Sequence, residues 1–393
     1  MGGRDAGRVQ RPVCLRRPDP AAADPTAGVP RGQGGGGKPV RHPRAGDAIG
    51  FAVAALLIAL VGWIELARPF GSSLARLTAG LLTIDLLIRA GIFTIILVGL
   101  NLLMGYAGQV SLGQAAFYGM GAFFSAILTV RAQVLGIPAA VWSAWWWPWV
   151  LMVAGAAMVG GVAYLIGWVI LRLRGHYLAM ATLGLGIIVF IILRENLGLP
   201  RLNLTGGFDG IVGIDRLRVG ALVVWPAPRY FLLVWAVVLG AMAVGLNVVH
   251  SPIGRALRAI HGSEAAAESV GVVTPAFKAQ IFALSAAMAS LAGSLYAHFQ
   301  AAVVPGTFGF VPSLELVVMS AIGGMASIWG APFGALAVLL VQELLRTHVL
   351  GILPAVSGEL EPVVFGALLV VIMMFWPAGL VASRRGGQRI GVR

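Results

Sequence analysis

Gln109, Ser111 and Gln114 alternate with Gly108 and Gly113 near the start of "GYAGQVSLGQAAFYGMGAFF" (Gly105–Phe124), a stretch without a single charge. Amides and hydroxyls donate and accept hydrogen bonds without exchanging protons at neutral pH. Their chemistry is therefore to wet and orient a polar guest, not acid–base or nucleophilic catalysis. Two glycines weaken a helix by roughly 1 kcal/mol each, and irregular backbone at membrane depth survives only where it lines a cavity or is buried in protein. Gly108–Gln114 reads as a break or re-entrant segment lining a substrate path, with tight helix packing as the competing reading. For Gly119 and Gly121 packing is favoured, because small residues let backbones approach closely.

Catalytic chemistry is thinly supplied. Glu195, Glu315, Glu343, Glu359 and Glu361 fall at or near the ends of apolar runs, and so do His176, His250, His261 and His298. The spacing reads them as solvated helix ends, with no pair on one helix face at metal-ligand distance. The single cysteine, Cys14, rules out a disulfide framework or thiolate site. "GQGGGGKP" (Gly32–Pro39) mimics the spacing of a phosphate-binding loop, but Pro39 stands where a hydroxyl would hold magnesium and no strand precedes it. A linker is the better reading, so no cofactor site is expected in this chain.

The elements that position the polar stretch are membrane helices. The chain is 59% hydrophobic and 11% charged, with a mean hydropathy of +0.90, whereas soluble domains carry about 25% charged residues. Its apolar runs are continuous rather than alternating, which excludes a β-barrel. An all-α polytopic membrane protein of about ten spans follows: Ile49–Leu66, Ala90–Met104, Leu112–Val130, Trp149–Leu171, Leu178–Leu193, Tyr230–His250, Ala279–His298, Leu314–Trp329, Pro332–Leu345 and Pro362–Trp376. Leu74–Leu87 reads as an interfacial helix, and Trp142–Trp149 as an aromatic belt. Residues 1–46, rich in Gly, Pro and Arg, are expected to be a disordered tail. The permease domain is expected over 47–380 and a basic tail over 381–393. The net charge of +13 sits mostly in these flanks, as basic residues on cytoplasmic segments do, and no folded basic domain points to nucleic acid. Both termini are expected to be cytoplasmic. Arg172, Arg174, Arg255, Arg258 and Lys278 agree with that, while arginines in the Arg194–Arg229 loop argue against it.

Two loops carry motifs. Thr205, Gly206, Gly207 and Asp209 form a turn-rich segment on the expected external side. In "SPIGRALRAIHGSEAAAESVGVVTPAFKAQ" (Ser251–Gln280), Ser263 suits an N-cap and Glu264 and Glu268 the first turns of a short helix. Gly271 suits its left-handed end, and Thr274-Pro275 opens the next helix. Such a helix lies across the membrane face as an ordinary linker or as a knob for a cytosolic partner's groove. Gly323, Gly324 and Gly330 mark a turn or a close contact within Ser320–Pro332.

"GYAGQVSLGQAAFYGMGAF", "RLRGHYLAMATLGLG" (Arg172–Gly186), "TGGFDGI" (Thr205–Ile211) and the Ser251–Gln280 loop occur in this order. From about Ile49 to Trp376 the chain resembles the LivM-type permeases of branched-chain amino-acid ABC importers, in the LivH/LivM superfamily. The resemblance implies an inner-membrane permease that is not itself an enzyme. Its implied partners are a LivH-like second permease, two cytosolic ATPase subunits binding ATP and magnesium, an extracytoplasmic substrate-binding protein and the surrounding lipid. The coupling helix of the family falls on Glu264, Ala265, Ala266 and Gly271, where Val272 replaces a longer polar run. The expected cargo is leucine, isoleucine or valine. Urea or short amides carried by the same machine, and a gradient-driven transporter, are the alternatives.

Overall fold

The computed structural model describes residues 43–67, 82–173, 175–196, 204–220, 222–224, 227–344 and 366–367. The chain divides into two units, 1–50 and 51–393. Of the first, only the opening turns of helix α1 (Pro43–Ala67) are described; they start inside the segment expected to be tail, with a proline suited to a first turn.

The described residues are almost wholly helical. The second helix, α2 (Ile84–Asn101), is capped by the Thr83 hydroxyl and runs on through a π-helical turn, Leu102–Tyr106. After a non-helical segment come α3 (Gln114–Val130), the short α4 (Ala139–Trp142), α5 (Trp147–Ile170), α6 (His176–Arg194) and α7 (Ala227–His250). Then follow α8 (Pro252–Gly262), α9 (Glu264–Ser269), α10 (Thr274–Gln300), α11 (Phe310–Gly323) and α12 (Gly330–Leu344). Six helices are long and apolar enough to cross a membrane: Asp47–Leu66, Ile84–Tyr106, Trp147–Ile170, His176–Arg194, Ala227–His250 and Thr274–Gln300. Gln114–Val130, Phe310–Gly323 and Gly330–Leu344 are shorter and equally apolar. This is a multi-pass, all-α membrane architecture. The expected span Pro362–Trp376, most of Leu74–Leu87 and the 381–393 tail lie outside the described residues, but Ile84–Leu87 opens α2 rather than ending an interfacial helix.

Helices α10 and α2 form the core. α10 packs on α5, α3 and α2, and α2 also packs on α7 and α12. A small-residue seam brings α3 and α10 together: a Cβ on Gly121 would overlap the Ser290 backbone, and one on Gly293 the Tyr118 carbonyl. This is the contact expected for Gly121; Gly119 instead admits the Phe308 ring. The outward sides of α1 and α6 expose Leu56, Leu60, Trp63, Ile188 and Ile191, as faces bathed in hydrocarbon do.

The span expected over Leu314–Trp329 is two features. α11 starts earlier, at Phe310, and stops at Gly323, because Gly324 (φ 103°) turns the chain into α12. Four two-residue strands complete the fold. Ile211–Val212 (β1) pairs antiparallel with Ala302–Val303 (β4), and Arg218–Val219 (β2) with Leu222–Val223 (β3). Within Trp142–Trp149, the Trp147 indole donates to Leu128 O at 3.2 Å and Trp149 to Arg218 O at 2.9 Å, while Trp145 and Trp146 are exposed.

Candidate functional site

The polar stretch is a break in the helical bundle. The π turn shifts the ladder, with Ala107 N donating to Leu102 O and Gln109 N to Leu103 O. The chain then leaves the helix until Gln114. Gly108 has φ 69°, and the space a Cβ would need is filled by the His261 ring of α8; only glycine satisfies both demands. Leu112 N donates to Thr182 Oγ1 of α6 at 3.1 Å, and the Ser313 hydroxyl of α11 donates to Leu112 O. Gly113 lies against the Thr182 carbonyl. Gln114 Nε2 donates to Ser285 O at 3.0 Å and Ser285 Oγ at 2.9 Å on α10. Four helices therefore hold an irregular strand of backbone in place.

Its polar side chains are buried and incompletely satisfied. Gln109 is 3%, Ser111 1% and Gln114 0% exposed. Gln109 Nε2 and Oε1, Ser111 Oγ and Gln114 Oε1 make no hydrogen bond among the described residues. Tyr118 Oη, Arg131 Nε and Ser290 Oγ share that state, but only the break gathers several such atoms on one segment. A buried polar group left without a partner costs about 1–3 kcal/mol, so a cluster of them singles this segment out as the candidate site.

Helix α9 forms as its residues dictate. Ser263 Oγ accepts from Ala266 N at 3.3 Å, and Gly271 (φ 85°) closes the end, with Val272 N donating to Ala267 O at 3.0 Å. Glu264 turns back toward the bundle in an ion pair with the buried Lys278 of α10. Ala267 packs inward, while Ala265 and Ala266 are exposed, followed by Val270 at 77% and Val273 at 62% exposure. The preceding helix, α8, is missing from the sequence reading. Its signal was present: Ser251 caps it, Pro252 opens it, and Leu257 and Ile260 are buried at helical spacing opposite the exposed Arg255 and Arg258.

Thr205, Gly206 and Gly207 stand elsewhere. Asn196 Oδ1 accepts from Thr205 N at 2.9 Å and from the Thr205 hydroxyl at 3.1 Å, and Gly206 and Gly207 have φ 75° and 61°. The loop leads into β1, which pairs with β4 beyond the far end of α10, some 40 Å of helix from α9. The three predicted sets are thus not one site: α8, which leads into α9, touches the break through His261, and the loop marks the opposite end. There the expected solvated His298 is instead buried, 1% exposed, with Nε2 at 2.9 Å from Ser125 Oγ and Nδ1 at 2.7 Å from Asp215 O. The strand pairing folds the 211–215 backbone over it, a long-range contact that no local pattern announces. Glu195 is exposed and Glu315 and Glu343 half-buried; Glu359 and Glu361 lie outside the described residues. No cluster of metal-ligating side chains occurs among the described residues.

A family model described as branched-chain amino acid transport system / permease component matches residues 82–373. Over 357 residues the chain is 29% identical to the high-affinity branched-chain amino acid transport system permease protein LivM of Escherichia coli (strain K12), spanning 85% of this chain and 75% of that protein. It is 26% identical over 305 residues to LivH of Salmonella typhimurium (74% and 91%) and 24% identical over 301 residues to BraD of Pseudomonas aeruginosa (74% and 91%). No solved structure matches the chain. The break, the α8–α9 segment and the glycine-rich loop all fall within the matched region, and the chain belongs to the permease-component family of branched-chain amino acid transport systems.

Proposed function

We propose that this chain is a permease subunit of an inner-membrane ABC importer that passes leucine, isoleucine and valine through the break between α2 and α3. The observation that carries the reading is the cluster of buried, uncharged atoms on Gln109, Ser111 and Gln114 (Oε1) that have no hydrogen-bond partner among the described residues. Such groups replace part of a polar guest's hydration without adding a fixed charge that would trap it. Gly108 and Gly113 keep side chains out of the way and leave backbone within reach.

The power stroke comes from two cytosolic ATPase subunits, which bind ATP and magnesium, working with a LivH-like second permease and an extracytoplasmic binding protein. Arg172, Arg174, Arg255 and Arg258 put the α5–α6 and α8–α9 connections on the cytoplasmic side, with both termini, by the bias of basic loops. Ala265, Ala266, Val270 and Val273 then offer a smooth apolar knob to an ATPase groove. The Glu264–Lys278 pair ties that knob to α10, and His261 of α8 abuts Gly108. Motion of the knob is thereby passed to the break. Thr205, Gly206 and Gly207 face the side from which the binding protein delivers cargo.

The test is uptake of labelled leucine into proteoliposomes holding the assembled complex. ATP-dependent accumulation is expected, and Glu264→Lys, which sets two ammonium groups against each other, should abolish it. Uphill uptake by the chain alone on a proton or sodium gradient would sink the reading. Preference for urea over leucine would move the cargo to small amides.

A further inference from the structure

Charge is scarce in α2 and α12, and what there is falls at one end of each. The span Ile84–Tyr106 contains two charged residues, Asp85 and Arg89, and α12 contains one, Glu343. All three line a single polar cavity of about 330 Å3 between the start of α2 and the end of α12, together with Thr83 and Gln342. That volume falls in the range of small-molecule sites, about 300–1,000 Å3. Asp85 and Arg89 are exposed and Glu343 is half-buried, so all three present charge to the cavity.

The cavity stands at the end of the bundle away from α8 and α9. α2 runs from Ile84 to Tyr106, whose hydroxyl donates to Ala326 O at 3.0 Å, and α12 starts from that same turn at Gly330. Both Ile84 and Leu344 therefore lie at the opposite end. Asp85 and Arg89 are spaced to pair on one helix face, yet neither is hydrogen-bonded or ion-paired to a described residue. One wall thus carries a guanidinium with no hydrogen-bond or ion-pair partner among the described residues. The facing wall carries the carboxylate of Glu343 and the amide of Gln342.

We infer that this cavity is a receiving site for the zwitterion of an α-amino acid. Arg89 takes the α-carboxylate, as a planar guanidinium does with two parallel N–H donors. Glu343 and Asp85 accept from the α-ammonium, and Leu86 and Leu339 line the remaining surface for an aliphatic side chain. The inference rests on the importer reading and assigns it a first station. Cargo is gripped by charge at the outer mouth and then handed to an uncharged break that lets go.

Three probes test it on the purified complex without the binding protein: leucine, leucinamide (no carboxylate) and isocaproate (no ammonium), with affinities read by saturation-transfer NMR. Leucine should bind about tenfold tighter than either analogue, the size expected for one charged hydrogen-bonded contact. Arg89→Gln should weaken leucine and leave leucinamide unchanged; Glu343→Gln should weaken leucine and leucinamide and spare isocaproate. Equal binding of the three probes by the wild-type complex overturns the site, as does leucine affinity unaltered in Arg89→Gln. The comparison of probes needs no variant to fold. Vesicles of wild-type complex that accumulate no branched-chain amino acid defeat the importer reading itself; vesicles that do, with the probes bound alike, defeat only this site.

Discussion

The two halves of Gly105–Phe124 have similar glycine contents and opposite fates. In the second half, Gly121 is buried in a continuous helix, and its carbonyl accepts from the Ser294 hydroxyl at 3.2 Å. Gly293 returns the contact from α10. Missing side chains there serve contact between two backbones. In the first half, Gly108 and Gly113 bracket backbone that has left the helix, and the Gln109 amide and Ser111 hydroxyl between them lack partners among the described residues. Glycine content alone does not separate a seam from a conduit. What separates them is that the backbone leaves the helix at the break and gathers several unsatisfied polar atoms on one short segment. The seam stays helical and leaves only Tyr118 Oη and Ser290 Oγ without partners among the described residues.

The contrast can be broken most severely at the seam. Gly121→Leu forces a branched side chain into the Ser290 backbone, and overpacking of this kind costs about 3 kcal/mol or more. The expected result is loss of monodisperse complex on size exclusion and a large fall in Tm; a normally assembled, normally stable variant would remove the α3–α10 contact from the account. A smaller effect is expected at the break. Gly108→Ala meets both a left-handed backbone, worth about 1–2 kcal/mol, and the His261 ring. Complex should still form with a modestly lowered Tm, while uptake falls. His261→Ala in the same chain makes room and should restore part of the uptake. If it restores none, the contact between α8 and the break does not carry motion.

Much of this was legible in the sequence, and the rest was hidden for identifiable reasons. The break could be read because uncharged polar residues between glycines are local. So could the Ser263 cap and the left-handed Gly271, which are properties of single residues. The burial of His298 could not, since it depends on β1 meeting β4 some ninety residues away, about the longest kind of link local patterns miss. The Glu264–Lys278 pair joins two helices across a turn and likewise leaves no periodic trace. The turn at Gly324 was half visible: two adjacent glycines flagged it, but the apolar residues on both sides still read as one span. Asp85 and Arg89 were passed over because they sit at the margin of a run whose apolar core begins at Ala90.

The smallest structural effect should accompany the clearest functional one. Gln109 is 3% exposed with neither end of its amide bonded to a described residue, so Gln109→Leu removes an uncompensated polar group from the interior. An apolar replacement of similar size should leave Tm unchanged or raise it, because the desolvation cost of about 1–3 kcal/mol disappears. Uptake should fall about tenfold, since the guest then loses a hydrogen bond of that order on its way through. Ser111→Ala should behave in the same way with a smaller amplitude, one hydroxyl being less than an amide. A packing residue would show the reverse order, losing stability first and transport only as a consequence. Paired measurement of Tm and leucine uptake for both variants therefore decides which half of the stretch Gln109 belongs to: a lowered Tm with uptake in proportion would return it to the seam.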